Sequence, residues 1–495
     1  MSLLNCREFP RAALVLITLL LPGGVGGTEP PARRPNFVFF LVDDLGWRDV
    51  GCFGSTFYET PNIDRLARQG MRFTNAYAAC PVCSPTRASI MTGKYPVRMA
   101  ATNFFGAPEP NEWKRPTVLL PAEYSQRLPL EEVTVAEALQ EAGYKTFFAG
   151  KWHLGPRGYY PEDQGFEINK GGLDWGAPPT YFAPYGNPKL PEGPKGEHLP
   201  DRLATETCRF IEQAKGGPFL AYLSFYSVHV PLMGREDLIE KYRKKAQLLP
   251  PVDRAWGQEG ANKVRLVQDL PVYAAMVEAM DQAVGKVLDT LGRLDLEGNT
   301  VVIFMSDNGG LATAEGHPTS NLPLRAGKGW LYEGGIREPV IFRWPGVIPA
   351  GGTCEAPVIS NDFYPTMLAL AGLPGRPGQH CDGVSLAPLL KGGGGLSERP
   401  LFWHYPHYSN QGGAPSAAIR QGQWKLIEFY EDRQVELYDL ESDLGETTDL
   451  AGTMPGKARE LLGRLHVWQK DTGARFPTPN PNHQTDEGAK AAGPN

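Results

Sequence analysis

The chain has 495 residues, 41% hydrophobic and 21% charged, enough for one large and one small globular domain of ordinary composition. A formal net charge of −6 excludes the basic footprint of a nucleic-acid-binding protein, so any positive field for an anionic ligand must be local. The 57 glycines and 46 prolines require many long, shaped loops.

Residues 1–27 carry the pattern of a secretory signal, with Arg7 and Arg11 at the basic end, an apolar run from Ala12 to Leu21, and small residues Val25-Gly26-Gly27 for cleavage. The run is too short to span a bilayer, so no stable membrane span is expected and the mature chain should be secreted or periplasmic. After a Pro-rich linker, Asn36 to Val42 is an apolar run expected of a strand buried on both faces of a parallel sheet. It stops at Asp43-Asp44. Two acids at the mouth of a buried strand form either a turn or cap pair, or hard oxygen ligands for Ca²⁺ or Mg²⁺.

Thr60 to Gly70 reads as a short capped helix with Pro61 in its first turn, and Met71 to Ala78 as a strand. The strand leads into Cys80-Pro81-Val82-Cys83-Ser84-Pro85-Thr86-Arg87, followed by Met91-Thr92-Gly93-Lys94. Ser84 suits an N-cap, Pro85 a first helical position and Gly93 a stop. Cys83 would then sit where free N–H groups and the helix dipole favour an anion. Cys80 and Cys83 also form a C-x-x-C pair, open to reading as a redox couple, half a zinc site or buried structural thiols; no second metal-spaced pair follows.

Residues 97–130 lack periodicity and read as an insertion loop over a site, with Phe104, Phe105, Trp113 and Tyr124. Thr134 to Glu137 has the spacing of a capping box. Tyr144 to Gly150 is a second apolar strand that runs into Lys151-Trp152-His153; in extended chain Lys151 and His153 face one side. The Gly/Pro-rich stretch 156–200, with Tyr159, Tyr160, Trp175, Tyr181 and Tyr185, is either an irregular surface loop or an aromatic wall for sugar rings. Asp201 to Lys215 and Pro271 to Leu294 read as helices, Pro218 to Tyr226 as a third strand with His229 at its exit, and Thr300 to Met305 as a fourth ending in Ser306-Asp307-Asn308. Lys328 follows on a loop, Pro339 to Trp344 is a fifth strand, and Asp362 is expected to cap a helix from Phe363 to Ala371. Ligands bind beyond the carboxyl ends of strands in open α/β sheets, so one crevice would gather Asp43-Asp44, Lys151/His153, His229 and Asp307-Asn308.

Lys391 to Gly395 reads as a flexible boundary. Beyond it Leu401 to Tyr408, Ala417 to Arg420, Trp424 to Tyr430 and Val435 to Leu440 read as short strands, and Gly456 to Lys470 as a helix. The expected organisation is a signal at 1–27, a catalytic domain at 34–395, a C-terminal α+β subdomain at 396–480 and a frayed tail at 481–495. Of seven cysteines, removal of Cys6 with the signal would leave six, with Cys354 and Cys381 a possible disulfide.

The run Cys83-Ser84-Pro85-Thr86-Arg87 with its downstream Thr92-Gly93 resembles the signature of the type I, formylglycine-dependent sulfatases, with Thr86 where serine is commoner. The strand-end clusters, Glu436 to Leu440 and Gly445-Glu446 extend the resemblance from Asn36 to about Leu450. It implies an alkaline-phosphatase-like α/β domain with a central, mostly parallel sheet, plus a small C-terminal α+β domain with an antiparallel sheet. It implies that a formylglycine-generating or equivalent maturation enzyme oxidises Cys83. Asp43, Asp44, Asp307, Asn308 and the modified Cys83 would hold one Ca²⁺, with Mg²⁺ as the alternative. Arg87 would stabilise the formylglycine, and Lys151, His153, His229 and Lys328 would surround the sulfate, with His153 as base and His229, alone or with Lys328, as acid. The implied substrate is a sulfated saccharide or aryl sulfate, galactose and N-acetylhexosamine sulfates being favoured. The competing readings are a phosphoester or phosphonate hydrolase on the same fold and a catalytically silent glycan-binding protein.

Overall fold

The computed structural model describes residues 34–483. The expected signal, most of the linker and residues 484–495 of the expected tail lie outside the described residues. The main sheet has eight strands: β1 (Asn36–Val42), β2 (Met71–Phe73), β3 (Lys145–Gly150), β4 (Ile168–Lys170), β5 (Phe219–Ser224), β6 (Thr300–Ser306), β7 (Val340–Arg343) and β8 (Gly352–Cys354). Their spatial order is β8-β2-β7-β6-β1-β5-β3-β4. The block β6-β1-β5-β3-β4 is parallel throughout. The chain reverses at β7, which is antiparallel to both β6 and β2.

All seven residues of β1 are buried because the strand feeds two cores. Val38, Phe40 and Val42 join one hydrophobic cluster; Phe37, Phe39 and Leu41 join another on the opposite face. That is the period-2 alternation of a strand covered on both sides, and it explains why the sequence is apolar without interruption. The longer helices are α1 (Pro61–Gln69), α2 (Cys83–Thr92), α3 (Val135–Glu141), α4 (Leu199–Ala214), α5 (Glu236–Ala246), α6 (Pro271–Arg293), α7 (Phe363–Leu370) and α8 (Pro455–Asp471). The first cluster takes Ile63 from α1, Leu203 from α4 and Met276 from α6. The second takes Ile90 from α2, Leu139 from α3 and Met367 from α7.

In the C-terminal region β9 (Leu401–Tyr405), β10 (Ser416–Gln421), β11 (Trp424–Phe429) and β12 (Val435–Asp439) form an antiparallel meander. Leu461 and Leu465 of α8 cover it, in a third cluster that also takes Tyr77, Val82, Tyr332 and Ile336. The small sheet therefore packs on the loops that flank the cysteine motif.

Several local expectations are corrected. α2 begins at Cys83 with Val82 at the N-cap position, so Ser84 is not the cap and Pro85 is not its first residue. The Ser84 hydroxyl instead accepts the Phe105 N–H at 3.0 Å. The strand expected over Met71 to Ala78 is two short pieces, β2 and Ala76–Tyr77. Asp362 does sit before α7, but its carboxylate accepts the N–H groups of Ile359 and Val384 instead of capping that helix. Tyr181 and Tyr185 are core residues and Trp175 packs partly buried against them, so these three form no aromatic wall. Cys354 lies in edge strand β8 and Cys381 on an exposed loop beside Asp382; both are free thiols, and the disulfide weighed above is not formed. The capping box is present: Thr134 Oγ1 accepts the Glu137 N–H, and the Glu137 carboxylate accepts the Thr134 N–H.

Candidate active site

The register of the sheet builds the centre. Val42 of β1 is paired with Ser306 of β6, so Asp43 and Asp307 both lie one residue past the ladder. Gly150 of β3 is paired with Ser224 of β5, which puts Lys151 at the same level. Backbone bonds continue the pattern: Asp307 N–H donates to Val42 O at 3.0 Å, and Lys151 N–H to Ser224 O at 2.9 Å. Side chains separated by more than a hundred residues then touch. Lys151 Nζ donates to Asp43 Oδ2 at 2.6 Å. Asp44, at φ 61°, turns its backbone N–H to Asp307 Oδ1 at 3.2 Å.

Cys83 and Arg87 are one helical turn apart on α2 and share a face. The fully buried Arg87 joins three strand ends. Its Nε donates to Asp307 Oδ2 at 2.8 Å, and its Nη1 to Lys151 O at 2.8 Å and Ser224 Oγ at 2.7 Å. Its direct partners are therefore the strand ends; Cys83 is hydrogen-bonded to a different residue.

That residue is His153, whose Nδ1 lies 3.3 Å from Cys83 Sγ. The chain does not reach it in the extended form expected from sequence: Gly150 (φ 100°) and His153 (φ 56°) are left-handed, and this turn aims the ring. His153 Nε2 lies 2.9 Å from Phe105 O. A carbonyl can only accept, so Nε2 carries the hydrogen and Nδ1 presents a lone pair to position 83. Burial, then Lys151, pushes the His153 pKa well below its ordinary value, so the ring is neutral.

His229 has the opposite tautomer. Its Nδ1–H donates to Val230 O at 2.7 Å, leaving Nε2 as an acceptor 3.6 Å from Asp44 Oδ2. Burial, then the Lys328 charge, holds its pKa to about 3. The buried Tyr181 hydroxyl donates to His229 O at 2.8 Å and fixes this turn. Lys328 Nζ reaches both oxygens of Asp44, at 2.6 and 2.8 Å. Its loop is tied to the cysteine loop by Gly329 N–H donating to Pro81 O at 2.8 Å. Asn308 Nδ2 donates to Asp44 Oδ1 at 2.8 Å.

Three buried carboxylates, Asp43, Asp44 and Asp307, thus face three buried cations, Lys151, Lys328 and Arg87. Burial among like charges raises the Asp43 pKa despite Lys151. Burial also works against ionised Asp44, but Lys328 and then His229 outweigh it and hold that pKa below the carboxylate range. Two buried acceptors remain without a hydrogen bond, Asn308 Oδ1 and Asp43 Oδ1, the latter 3.7 Å from Arg87 Nη2. Ligand atoms of Asp43, Asp44 and His229 lie within 4.8 Å of one another. Orphaned oxygens of this kind fit a hard divalent cation. His229 Nε2 lies beside these oxygens, at 3.6 Å from Asp44 Oδ2, and is the nitrogen left free for proton transfer.

In front of these groups is a cavity of about 310 Å³ lined by Cys83, Phe104, Phe105, His153, His229 and Lys328, with Asp174, Glu315, Asn410 and Gln411 among its other walls. Of the ten residues singled out from sequence, Cys83, His153, His229 and Lys328 line the cavity. Asp43, Asp44, Arg87, Lys151, Asp307 and Asn308 form one network that Lys328 and His229 join through Asp44. Sequence reasoning missed Ser224, Asp174, Glu315 and the Asn410-Gln411 pair. A lone serine ending an apolar strand was the only signal for Ser224. The pair at 410–411 comes from the β9–β10 connection in the C-terminal region and had none.

The sulfatase family model matches residues 35–373, and the model described as N-sulphoglucosamine sulphohydrolase, C-terminal, matches residues 326–466. A sulfatase of Formosa agariphila is 34% identical, with 88% of this chain and 89% of that relative covered. The N-acetylgalactosamine-6-sulfatase of Canis lupus familiaris is also 34% identical, with 93% and 85% covered. The crystal structure of Ps i-CgsB in complex with k-i-k-neocarrahexaose aligns with a TM-score of 0.73 at 29% identity, over 92% of this chain and 96% of that one.

Proposed function

Because the chain belongs to the sulfatase family, enzymes that hydrolyse sulfuric esters, we propose that it removes sulfate from a sulfated saccharide, using formylglycine made from Cys83 and a divalent cation, Ca²⁺ in the first instance. The observation that carries this reading is the meeting of Cys83, His153, His229 and Lys328 at one cavity, directly in front of the orphaned oxygens of Asp43 and Asn308. Asp43, Asp44, Asp307 and Asn308 would hold the cation beside position 83. Formylglycine would supply a hydrated aldehyde as nucleophile, and the cation would offset negative charge on the sulfate oxygens.

The chain's own residues have distinct tasks in this reading. Lys328 presents its ammonium to the sulfate from the cavity wall, while Lys151 and Arg87 balance the carboxylates behind. His153 takes a proton from position 83 at Nδ1, since its other nitrogen is occupied by Phe105 O. His229 faces the leaving oxygen through Nε2. It is neutral until an anionic sulfate lies beside it; that charge raises its proton affinity and makes it the acid for the departing alcohol. In the same reading residues 34–395 are the catalytic domain and 396–480 its α+β partner. Secretion follows from the signal pattern of residues 1–27, and among the described residues no helix is long and apolar enough to cross a membrane. The saccharide class rests on the relatives' substrates, and galactose or N-acetylhexosamine sulfates are the first choice.

The test is a desulfation panel of singly sulfated hexoses and 4-nitrophenyl sulfate, run beside 4-nitrophenyl phosphate on protein matured in a host with a converting enzyme. Sulfate release that is lost in Cys83→Ser, with the fold unchanged by circular dichroism, is expected. Turnover of the phosphate ester alone, or undiminished turnover by Cys83→Ser, overturns the proposal.

A further inference from the structure

The deep end of the cavity is cationic, but its mouth is not. Among the described residues Lys328 is the only lysine or arginine lining it, and Asp44 already binds that ammonium. The exposed carboxylates Asp174 and Glu315 also line it, and neither forms an ion pair among the described residues. An adjoining cavity of about 490 Å³ shares Phe105, Gly106 and Asp174; its one guanidinium, Arg127, is stacked over the Tyr159 ring at 5.0 Å.

Glu315 is held in place. Gln411 Nε2 donates to its carboxylate, and Gln411 is itself clamped. The Gln411 carbonyl accepts Asn262 Nδ2 at 2.9 Å, Thr313 Oγ1 at 3.0 Å and Trp330 Nε1 at 2.9 Å. Three donors on one oxygen fix the C-terminal loop against the catalytic region and set Asn410 beside Glu315 on the cavity wall.

Two carboxylates at the mouth of a pocket for an anion oppose binding unless the substrate gives them donors. They also repel any second anion, which is how specificity is gained by rejecting competitors. Resting on the sulfatase reading above, we infer that Asp174 and Glu315 are specificity-determining residues. They accept hydroxyl or amine donors from the sugar ring that carries the scissile sulfate, and they reject a second sulfate or a carboxylate on that ring.

The test compares kcat/KM for the best singly sulfated hexose of the panel with that for the same hexose bearing a second sulfate, in wild type, Asp174→Asn, Glu315→Gln and the double variant. Both side chains are exposed, so the variants should fold; circular dichroism and thermal melts check that they do. Wild type is expected to favour the monosulfate by more than about tenfold, and the double variant to narrow that ratio by about tenfold, through a lower KM for the disulfate and a higher one for the monosulfate. The narrowing should shrink at high salt. A wild type that does not discriminate, or a ratio unmoved in the double variant, overturns this inference alone; turnover of the aryl sulfate with none of the sugars overturns the saccharide reading of the proposed function and this inference with it. No sulfate release from any substrate defeats the proposed function and this inference with it.

Discussion

Lys425→Met probes how the C-terminal sheet supports the active site. Lys425 is fully buried, and its Nζ lies 3.0 Å from Glu333 Oε1 and 2.8 Å from Glu446 Oε1, both also fully buried. Glu446 Oε2 accepts the Glu333 N–H at 2.6 Å, at the start of a short helix five residues beyond Lys328. Methionine keeps most of the volume but leaves two carboxylates around one missing charge. Arg337 still reaches Glu333, so Glu446 bears most of the loss. Breaking a buried pair from one side costs about 3–5 kcal/mol. Burial already raises the Glu446 pKa to about 7 against the pull of Lys425, so its folded state favours the proton and its contribution to stability is lost as pH rises from about 4.5 through 7. Removing Lys425 raises that pKa further. The deficit should therefore be larger at pH 8 than at pH 5. Urea unfolding followed by tryptophan fluorescence reads both values, and Lys425→Met/Glu446→Gln should recover about 1–3 kcal/mol of the loss. A deficit below about 1 kcal/mol at pH 8, or one that grows towards pH 5, would refute this account of the network.

Other expectations follow from single contacts. His153→Ala should lower kcat by about 10²–10⁴-fold with little change in unfolding midpoint, because it removes the acceptor at position 83; a change in KM alone would contradict the base role. Chelation should abolish sulfate release. Ca²⁺ at about a hundred times its Kd should restore it and add about 2.7 kcal/mol of stability, read by thermal melts with and without the ion. His404 and His198 are buried neutral, each with a pKa pushed by burial to about 4. Their stabilisation is present above the ordinary histidine value of about 6.5 and is lost as pH falls from there to 4, by about 3 kcal/mol for each. His404→Gln should flatten that slope in urea titrations.

The five apolar strands, and the acidic or basic exits of four of them, are legible in the chain, because strand period and end position are local properties. The run Asn36 to Val42 reads as a strand covered on both faces, which puts Asp43-Asp44 at its mouth. The cysteine motif likewise marked position 83 without help from the fold. Local reading failed at α2, where the chain puts Cys83 itself in the first turn, and at Tyr181 and Tyr185, whose aromatic faces suit a core as well as a sugar.

Partnerships were decided in three dimensions. Arg87 binds Asp307 across 220 residues because β1 and β6 share a register, and no pattern near either residue encodes that pairing. The tautomer of His153 depends on the Phe105 carbonyl, placed by an aperiodic loop. The mouth of the cavity is completed by Gln411 from the far end of the chain. Periodicity reports which face of an element is buried, but a hydrogen bond needs both partners in place, and only the packed sheet and loops bring them within reach.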